Sequence, residues 1–140
     1  MSDPARLQHE VEIEIPFHDC DPANIVWHGH YARYFEVARC ALLERLNYNY
    51  DHMLESGYAW PLIDFQMRFI RPLRFKQKIR VRARIVEWEF RLKMDYLITD
   101  ATSGERLSKG STVQVAINCQ TLEMCLSSPA ILLEKLGVSA

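Results

Sequence analysis

The spacing of apolar residues between residues 31 and 118 limits the possible folds of this chain more than any other feature. From Gly29 to about Asn47 the apolar side chains recur every three or four residues, which is the period of one amphipathic helix. Residues 59–118 are instead rich in Ile, Val, Phe, Tyr and Trp, the residues that favour strands. The sequence therefore predicts one long helix followed by a run of strands.

Alternating polar and apolar residues define the individual strands. A first strand precedes the helix, because Val11, Ile13 and Ile15 alternate with polar neighbours. We expect four strands between residues 59 and 118, with a bulge or tight turn near Val86 and a hairpin closed by residues 100–105. The inward positions are predicted at Ile79, Val81, Ala83 and Ile85 in one strand, and at Val113, Val115 and Ile117 in the last long one.

This order of elements predicts an α+β fold in which an antiparallel sheet wraps around the helix. The 140 residues, 49% of them hydrophobic, suit one domain spanning residues 1–140. A shorter helix is expected around residues 50–56, closed by Gly57. A terminal helix is expected to start at Pro129 and run to about Leu136.

Cysteine spacing and net charge exclude several classes of protein. The four cysteines form no C-x-x-C pair, and the N-terminus has no apolar run of signal-peptide or membrane-spanning length. We therefore expect a cytoplasmic protein without a membrane span. The net charge of -1 argues against a general nucleic-acid binder.

The loop before the helix carries most of the residues capable of chemistry. Residues 17–39 form a turn-rich loop, which holds two carboxylates and three imidazoles, and the start of the helix into which the loop runs. Asp21 lies in a turn with Pro22, and His28 lies where the helix is expected to begin. A carboxylate and the free N–H groups of a helix start can converge on one ligand carbonyl. From the residues alone, Asp21 is either catalytic or a turn aspartate that bonds its own backbone.

The same loop contains possible metal ligands. His18, Asp19, Asp21, His28 and His30 offer nitrogen and oxygen atoms within a short stretch. The two histidines that flank Gly29 do not repeat at i, i+4 on one helical face, however, and no further ligand is evident. We therefore expect no metal and no cofactor.

The sequence Asp19-Cys20-Asp21-Pro22-Ala23-Asn24-Ile25-Val26-Trp27 resembles the signature of hotdog-fold acyl-CoA thioesterases, in particular the 4-hydroxybenzoyl-CoA thioesterase branch. Further similarity to the related acyl-CoA thioesterases lies at His28, Tyr31, Phe35, Glu36, Ala38 and Arg39. The resemblance implies a hotdog fold and hydrolysis of an acyl-CoA or acyl-carrier-protein thioester. It also implies a homo-oligomer, a dimer or a dimer of dimers, with active sites at the subunit boundary.

The resemblance also implies roles for individual residues. Asp21 would act as nucleophile or as general base, and the His28 N–H would polarise the thioester oxygen. Asp19 would support the loop, and Asn24, where many relatives carry Gly, would adopt a left-handed conformation. The expected substrate pocket consists of Trp27, Tyr31, Phe35, Trp60, Pro61 and Ile63.

Two other activities use the same fold. A hotdog dehydratase or hydratase would use a similar His and carboxylate pair on a β-hydroxyacyl thioester. A noncatalytic acyl-thioester binding protein would hold the substrate intact. Release of free thiol separates the thioesterase from both.

Basic residues are concentrated in one segment. Residues 68–84 contain eight basic residues and no acidic one, and strand alternation places Lys76, Lys78, Arg80, Arg82 and Arg84 on one face. We expect Arg80, Arg82 and Arg84, with Arg91, to bind the phosphates of coenzyme A or an acidic acyl carrier protein. One alternative is a solvated outer face. The other is a nucleic-acid module that uses residues 68–84, although this segment contains no recognised nucleic-acid-binding motif.

Overall fold

The computed structural model describes residues 4–139 of the chain, as a five-stranded antiparallel sheet with three α-helices and a small two-stranded sheet. In chain order the elements are β1 (Gln8–Glu14), α1 (Tyr31–Arg45), α2 (Tyr50–Glu55), β2 (Tyr58–Ala59), β3 (Leu62–Phe69), β4 (Lys78–Glu87), β5 (Leu92–Asp100), β6 (Arg106–Gln114), β7 (Ile117–Asn118) and α3 (Ala130–Leu136). The strand order in the main sheet is β1-β4-β5-β6-β3, and β2 pairs with β7. None of the helices within residues 4–139 has the length and apolar character needed to cross a membrane.

Helix α1 packs on the inner face of this sheet, as the predicted α+β fold requires. The ring of Phe35 stacks on Tyr96 of β5, with ring centroids 4.5 Å apart and an interplanar angle of 6°. Gly110 of β6 lies beneath the same ring, where a Cβ atom would come within 2.6 Å of Phe35 Cε2. The absence of a side chain at Gly110 therefore allows the helix to approach the sheet closely.

The long helix is shorter than the sequence predicts. It begins at Tyr31 instead of Gly29, because a separate 3₁₀ turn, His28–His30, precedes it. It ends at Arg45 instead of Asn47, which adopts a left-handed φ of 56°. The predicted second helix and its closing Gly57 are confirmed, as is the terminal helix after Pro129.

The register of β4 confirms most of the predicted alternation. Ile79, Val81, Ala83 and Ile85 are buried on the inner face. The pairing of β4 with β5 shifts between Ile85 and Glu87, which confirms the predicted irregularity near Val86. Asp100 Oδ1 accepts hydrogen bonds from the N–H groups of Thr102 and Ser103 and closes the predicted hairpin. Lys76 was predicted on this strand but precedes it, in a turn with φ of 69°.

The predicted inner face of the last long strand is wrong. The Tyr96 hydroxyl lies 2.8 Å from Thr112 Oγ1, and Gly110 lies beneath Phe35, so the even-numbered positions of β6 face α1. Val113 is buried but lies outside the core cluster. Because α1 approaches this face closely, a small residue is favoured at Gly110, and because the Tyr96 hydroxyl needs a hydrogen-bond partner, a polar residue is favoured at Thr112. The inner face of β6 therefore lacks the apolar alternation that would reveal it in the sequence.

Strand β3 forms one edge of the sheet and carries a row of exposed apolar side chains. These exposed side chains are Leu62, Ile63, Phe65 and Phe69. An exposed apolar edge strand is a typical site of pairing with a second chain.

Candidate active site

A tight turn holds the segment between Cys20 and Val26. The Asp21 N–H donates to the Ile25 carbonyl at 2.8 Å, and the Asn24 N–H donates to the Asp21 carbonyl at 2.9 Å. Asn24 has a φ of 64°, so the predicted left-handed conformation is confirmed. Asn tolerates this conformation better than most residues, since its short polar side chain bonds locally.

This turn is anchored to the chain between β3 and β4. The Val26 N–H donates to the Leu73 carbonyl at 2.8 Å, and Ile25 forms a bridge with Arg74. The loop before α1 and the segment after β3 are therefore held side by side. These contacts bring together residues that are 47 and 49 positions apart in sequence.

Asp19 ties the loop to the first turn of α1. Its carboxylate is buried and accepts hydrogen bonds from the Tyr34 hydroxyl at 2.5 Å and from Arg33 Nη2. Burial raises the pKa of Asp19, but the hydrogen bonds from Arg33 and Tyr34 outweigh that effect and hold the pKa below its usual value. The backbone carbonyl of Asp19 also accepts the Trp27 N–H at 3.1 Å. Asp19 therefore fixes where α1 begins relative to the loop.

The Asp21 carboxylate is oriented by its own turn. Its Oδ1 atom accepts the Ala23 N–H at 2.8 Å, which is the hydrogen bond of a turn aspartate. No hydrogen bond to Oδ2 is formed by any residue between 4 and 139. One oxygen thus sets the orientation of the carboxylate, and the other is available to a ligand.

The 3₁₀ turn at His28 supplies backbone donors. The side chain of Trp27, the residue before the turn, makes no capping hydrogen bond to its first N–H groups. Gly29 follows, and a Cβ atom there would lie 2.6 Å from Cε3 of the Trp27 ring. Glycine at this position therefore allows the indole to fold back beside the turn.

Asp21 and His28 line the same open cleft, of about 410 Å³. Trp27 and Tyr31, two of the predicted substrate-binding residues, line it with them. The wall opposite the loop comes from the end of β3 and the residues after it, Phe69, Ile70, Arg71 and Pro72. The Phe69 ring lies edge-on to Tyr31, with centroids 4.9 Å apart.

These four wall residues were missed by reasoning from the sequence. Their position follows from the anchoring of the loop by Leu73, which has no local sequence signal. The adjacent apolar pair Phe69-Ile70 ahead of Pro72 is the one hint that this strand end contacts a ligand.

The other predicted pocket residues lie elsewhere in the single chain. Phe35, a residue of α1, is fully buried between that helix and the main sheet. Trp60 and Pro61 line a second cavity of about 390 Å³, which is almost entirely apolar, beside α2 and the small sheet. Ile63 is exposed at the start of β3. The chain thus gathers Trp27 and Tyr31 at one end of β3, and Trp60, Pro61 and Ile63 at the other.

Three of the four predicted phosphate or carrier contacts have acidic neighbours. Arg80 lies 3.8 Å from Glu10, Arg84 lies 3.8 Å from Asp95, and Arg91 lies 2.9 Å from Glu87. Arg82 forms no such pair with any described residue, and its Nε atom is buried without a hydrogen-bond partner. Arg82 is thus the member of the set that forms no ion pair, although Glu10 is its register partner on β1.

One cluster of possible metal ligands occurs within the described residues. It consists of Glu44, Asp51 and His52, near the start of α2 and apart from the cleft. These side chains are largely exposed, and acidic surface groups commonly lie together without binding an ion. The expectation that the protein uses no metal stays a prediction.

The fold and this cleft define a hotdog-fold thioesterase domain. The chain belongs to the thioesterase-like superfamily, whose family model matches residues 15–135. Members of this class are thioester hydrolases.

Individual related proteins support this family assignment. The chain is 26% identical over 113 residues to a putative acyl-CoA thioesterase, YneP, of Bacillus subtilis, covering 80% of this chain and 81% of that protein. It is 35% identical over 77 residues, 55% of this chain, to the chloroplastic acyl-acyl carrier protein thioesterase ATL3 of Arabidopsis thaliana. The match covers 40% of the length of that plant protein.

Solved structures show the same fold. A 1,4-dihydroxy-2-naphthoyl-CoA thioesterase from Synechocystis superposes with a TM-score of 0.83 at 20% identity, covering 93% of this chain and 96% of that one. A DHNA-CoA thioesterase from Staphylococcus aureus gives a TM-score of 0.77 at 26% identity, covering 85% and 80% of the two chains.

Proposed function

We propose that this protein hydrolyses an acyl-CoA or acyl-carrier-protein thioester to a free acid and a thiol, with Asp21 as the reacting carboxylate. The observation that carries the proposal is the cleft itself. It combines a carboxylate with one free oxygen, uncapped N–H groups at the His28 turn, and aromatic walls. These are the parts that thioester hydrolysis needs: an attacking or activating group, an oxyanion donor and an apolar acyl site.

In this proposal the thioester carbonyl oxygen accepts a hydrogen bond from the His28 N–H. The positive end of the helix start then stabilises the negative charge that develops on that oxygen. Asp21 Oδ2 either attacks the carbonyl carbon and forms a mixed anhydride, or removes a proton from an attacking water. In both routes the carbon–sulfur bond breaks and the thiolate leaves with a proton from solvent or from the His28 ring.

A dimer completes this site in the proposal. Since β3 is a free edge, a twofold axis would pair it antiparallel with the same strand of a second copy. The start of one β3 then lies beside the end of the other. The partner's Trp60, Pro61 and Ile63 thereby come close to the Phe69 wall of this cleft, as the predicted pocket requires. This dimer, or a dimer of such dimers, is the proposed assembly.

We also propose a reducing cytoplasmic location. All four cysteines lie within the described residues and carry free thiols. Free thiols of this kind are usual where glutathione keeps cysteines reduced.

Thiol release tests the proposed activity. Wild-type protein, Asp21→Asn and Asp21→Ala would be incubated with aryl and aliphatic acyl-CoAs and with acyl-carrier-protein thioesters, and free thiol followed with a colorimetric reagent. We expect release by the wild type and a loss of at least about a hundredfold in kcat for both variants, since general acid–base groups typically contribute that much. Asp51→Asn, which changes an exposed carboxylate on α2, serves as the matched control.

The outcomes separate the proposal from its alternatives. Full activity of Asp21→Asn would remove Asp21 from the reaction. Elimination or addition of water without thiol release would indicate a dehydratase or hydratase. Tight binding of thioesters with neither reaction would indicate a noncatalytic acyl-thioester binding protein.

A single turnover in ¹⁸O-labelled water identifies a mixed anhydride that is hydrolysed at the Asp21 carbonyl. General-base catalysis places the label in the first molecules of released acid. A mixed anhydride that is hydrolysed at the Asp21 carbonyl gives unlabelled acid in that first turnover and leaves the label on the protein. Mass spectrometry of the acid and of the peptide containing Asp21 reads both results.

A further inference from the structure

Four basic side chains converge on the outer face of the main sheet, the side opposite α1. We call Arg68, Arg82, Arg106 and Lys109 the outer basic patch. Three of them lie in one row across the sheet, because Arg82 pairs in register with Leu97, Leu97 with Lys109, and Lys109 with Arg68. All four line a shallow depression of about 500 Å³. The sequence run from residue 68 to 84 contributes only two of them, so the patch is a product of the fold.

The outer basic patch is not neutralised by ion pairs within the chain, although Glu10 of β1 is the register partner of Arg82. No described acidic residue lies within salt-bridge distance of any of its four side chains. The nearest acid in the depression, Asp95, lies 3.8 Å from Arg84 instead. Arg68 and Lys109 are direct cross-strand partners, and like charges in that position destabilise a sheet. The buried, unpartnered Nε of Arg82 adds a second unfavourable feature at the same place. An anionic ligand would relieve both.

The shape and surroundings of the patch select the kind of anion. The three strand spacings from β4 to β3 span about 14 Å, slightly more than the 10–12 Å width of a helix. On its β1 side the patch is bounded by Glu10, Glu12 and Glu14, which face Arg82, Arg80 and Lys78 in register. That acidic stripe would repel a long polyanion.

A nucleotide is a less suitable ligand for this patch. Nucleotide sites are concave and usually offer an aromatic side chain on which the base stacks. Tyr96 is the one aromatic residue that lines the depression, and its side chain is buried on the opposite face of the sheet. A short acidic helix on a protein surface fits best.

The patch reaches the sheet end at which the active-site cleft opens. Arg68 and Phe69 are neighbours in β3, so one points to the outer face and the other lines the cleft. The N–H groups of Ile70 and Arg71, also in the cleft wall, donate to the carbonyl of Leu107 at 3.0 and 2.9 Å. Leu107 directly follows Arg106 of the patch. A partner docked on the patch would therefore lie next to the mouth of the cleft.

We propose that the outer basic patch docks the acidic helical surface of an acyl carrier protein, so that its thioester-bearing arm passes around this sheet end into the cleft. The proposal rests on the proposed thioesterase function and names the carrier-bound thioester as the preferred form of the substrate. Docking steers the carrier by charge, and the chemistry stays in the cleft.

The test compares one acyl group on three thiols: an acidic acyl carrier protein, coenzyme A, and N-acetylcysteamine, which has neither protein nor nucleotide. The variant is the double charge reversal Arg68→Glu/Lys109→Glu, with Lys78→Glu as a control on the same sheet face outside the patch. We expect the double variant to lower kcat/KM for the carrier thioester by about tenfold or more. The ratio of carrier to N-acetylcysteamine kcat/KM should fall by the same factor, and the wild-type KM for the carrier should rise with salt.

Binding of the apo carrier protein, which lacks the thioester-bearing arm, is measured in parallel by fluorescence anisotropy. This measurement is independent of catalysis, so loss of all thioesterase activity would overturn the proposed function and leave the docking proposal to be decided by binding. Apo carrier bound equally by wild type and double variant would overturn the docking proposal. An equal loss of kcat/KM for the coenzyme A thioester in the double variant would also overturn it, because the patch would then bind the nucleotide phosphates. Tighter binding of an oligonucleotide than of the carrier by the wild type would overturn it as well.

Discussion

At the scale of single residues, Asp19 is the buried charge that holds the candidate site together. It is 1% exposed and accepts hydrogen bonds from Arg33 and Tyr34 of α1. Burial opposes its ionisation, but these two hydrogen bonds lower its pKa below the usual 3.8. A carboxylate whose pKa is depressed by folding stabilises the fold above its unfolded pKa. That contribution is lost as the pH falls through the folded pKa.

The substitution Asp19→Asn tests this role. We expect the free energy of unfolding at pH 7 to fall by about 1.5–3 kcal/mol, the range for hydrogen bonds to a charged group. The difference from wild type should shrink as the pH falls from about 4, where Asp19 of the unfolded chain begins to take up its proton, through the lower pKa of the folded state. Urea denaturation at neutral and acidic pH measures both quantities, with Asp51→Asn as an exposed control. A difference that does not change with pH would contradict the assignment.

Asn24 sets the conformation of the turn that carries Asp21. Its φ of 64° is a conformation in which an ordinary side chain costs about 1–2 kcal/mol. We expect Asn24→Ala to lower the free energy of unfolding by about 1 kcal/mol, whereas Asn24→Gly should be nearly neutral. Thermal denaturation compares the two variants, and Ala23→Gly controls for added flexibility in the same turn. Equal destabilisation by Ala and Gly at position 24 would mean that the Asn side chain matters more than its backbone conformation.

At the scale of elements, the contact between α1 and β6 depends on the missing side chain of Gly110. A Cβ atom there would lie 2.6 Å from Phe35 Cε2, and it would also clash with the Gln66 backbone carbonyl. We expect Gly110→Ala to destabilise the protein by about 1–3 kcal/mol, as overpacked core positions do. Adding Phe35→Leu should restore part of that loss, because it removes the crowding ring. Chemical denaturation of the single and double variants gives the coupling, and strictly additive effects would argue against this contact.

Sequence patterns were sufficient to predict the helices and strands whose two faces differ in polarity. Helix α1, strand β4, the irregularity near Val86 and the 100–105 hairpin follow from periodicity and turn residues. Periodicity failed for β6, where Gly110 and Thr112 face the core because α1 approaches closely and Tyr96 needs a partner. Specific packing of this kind depends on the neighbouring element and leaves no period in the strand's own sequence.

At the scale of the whole molecule, the same limit applies to the candidate site. The loop half, with Asp21, Trp27, His28 and Tyr31, could be predicted because it is continuous in sequence and resembles a known signature. The other wall, from Phe69 to Pro72, depends on long-range anchoring through Leu73. The outer basic patch likewise combines residues from β3, β4 and β6 that sequence order separates.

The arrangement of β3 makes a prediction about the assembly. In a single chain Trp60 and the Asp21 cleft lie at opposite ends of this strand, and antiparallel pairing of two edges would bring Trp60 of one copy to the cleft of the other. If the site is shared in this way, Asp21→Asn and Trp60→Ala should each be inactive alone but complement each other in a mixed dimer.

Mixing the two inactive variants by joint refolding tests this sharing directly. Half of the dimers formed at random are mixed, and one of the two sites in each mixed dimer has both an intact Asp21 and an intact Trp60. We therefore expect about a quarter of wild-type thiol release. Ile63→Asp, which places a charge on the exposed apolar edge, should convert the dimer to a monomer in sedimentation velocity and abolish the recovery. Recovery by mixing requires residues from two chains in one site. If both variants are inactive alone and mixed dimers form without recovery, the site does not combine Asp21 of one chain with Trp60 of the other.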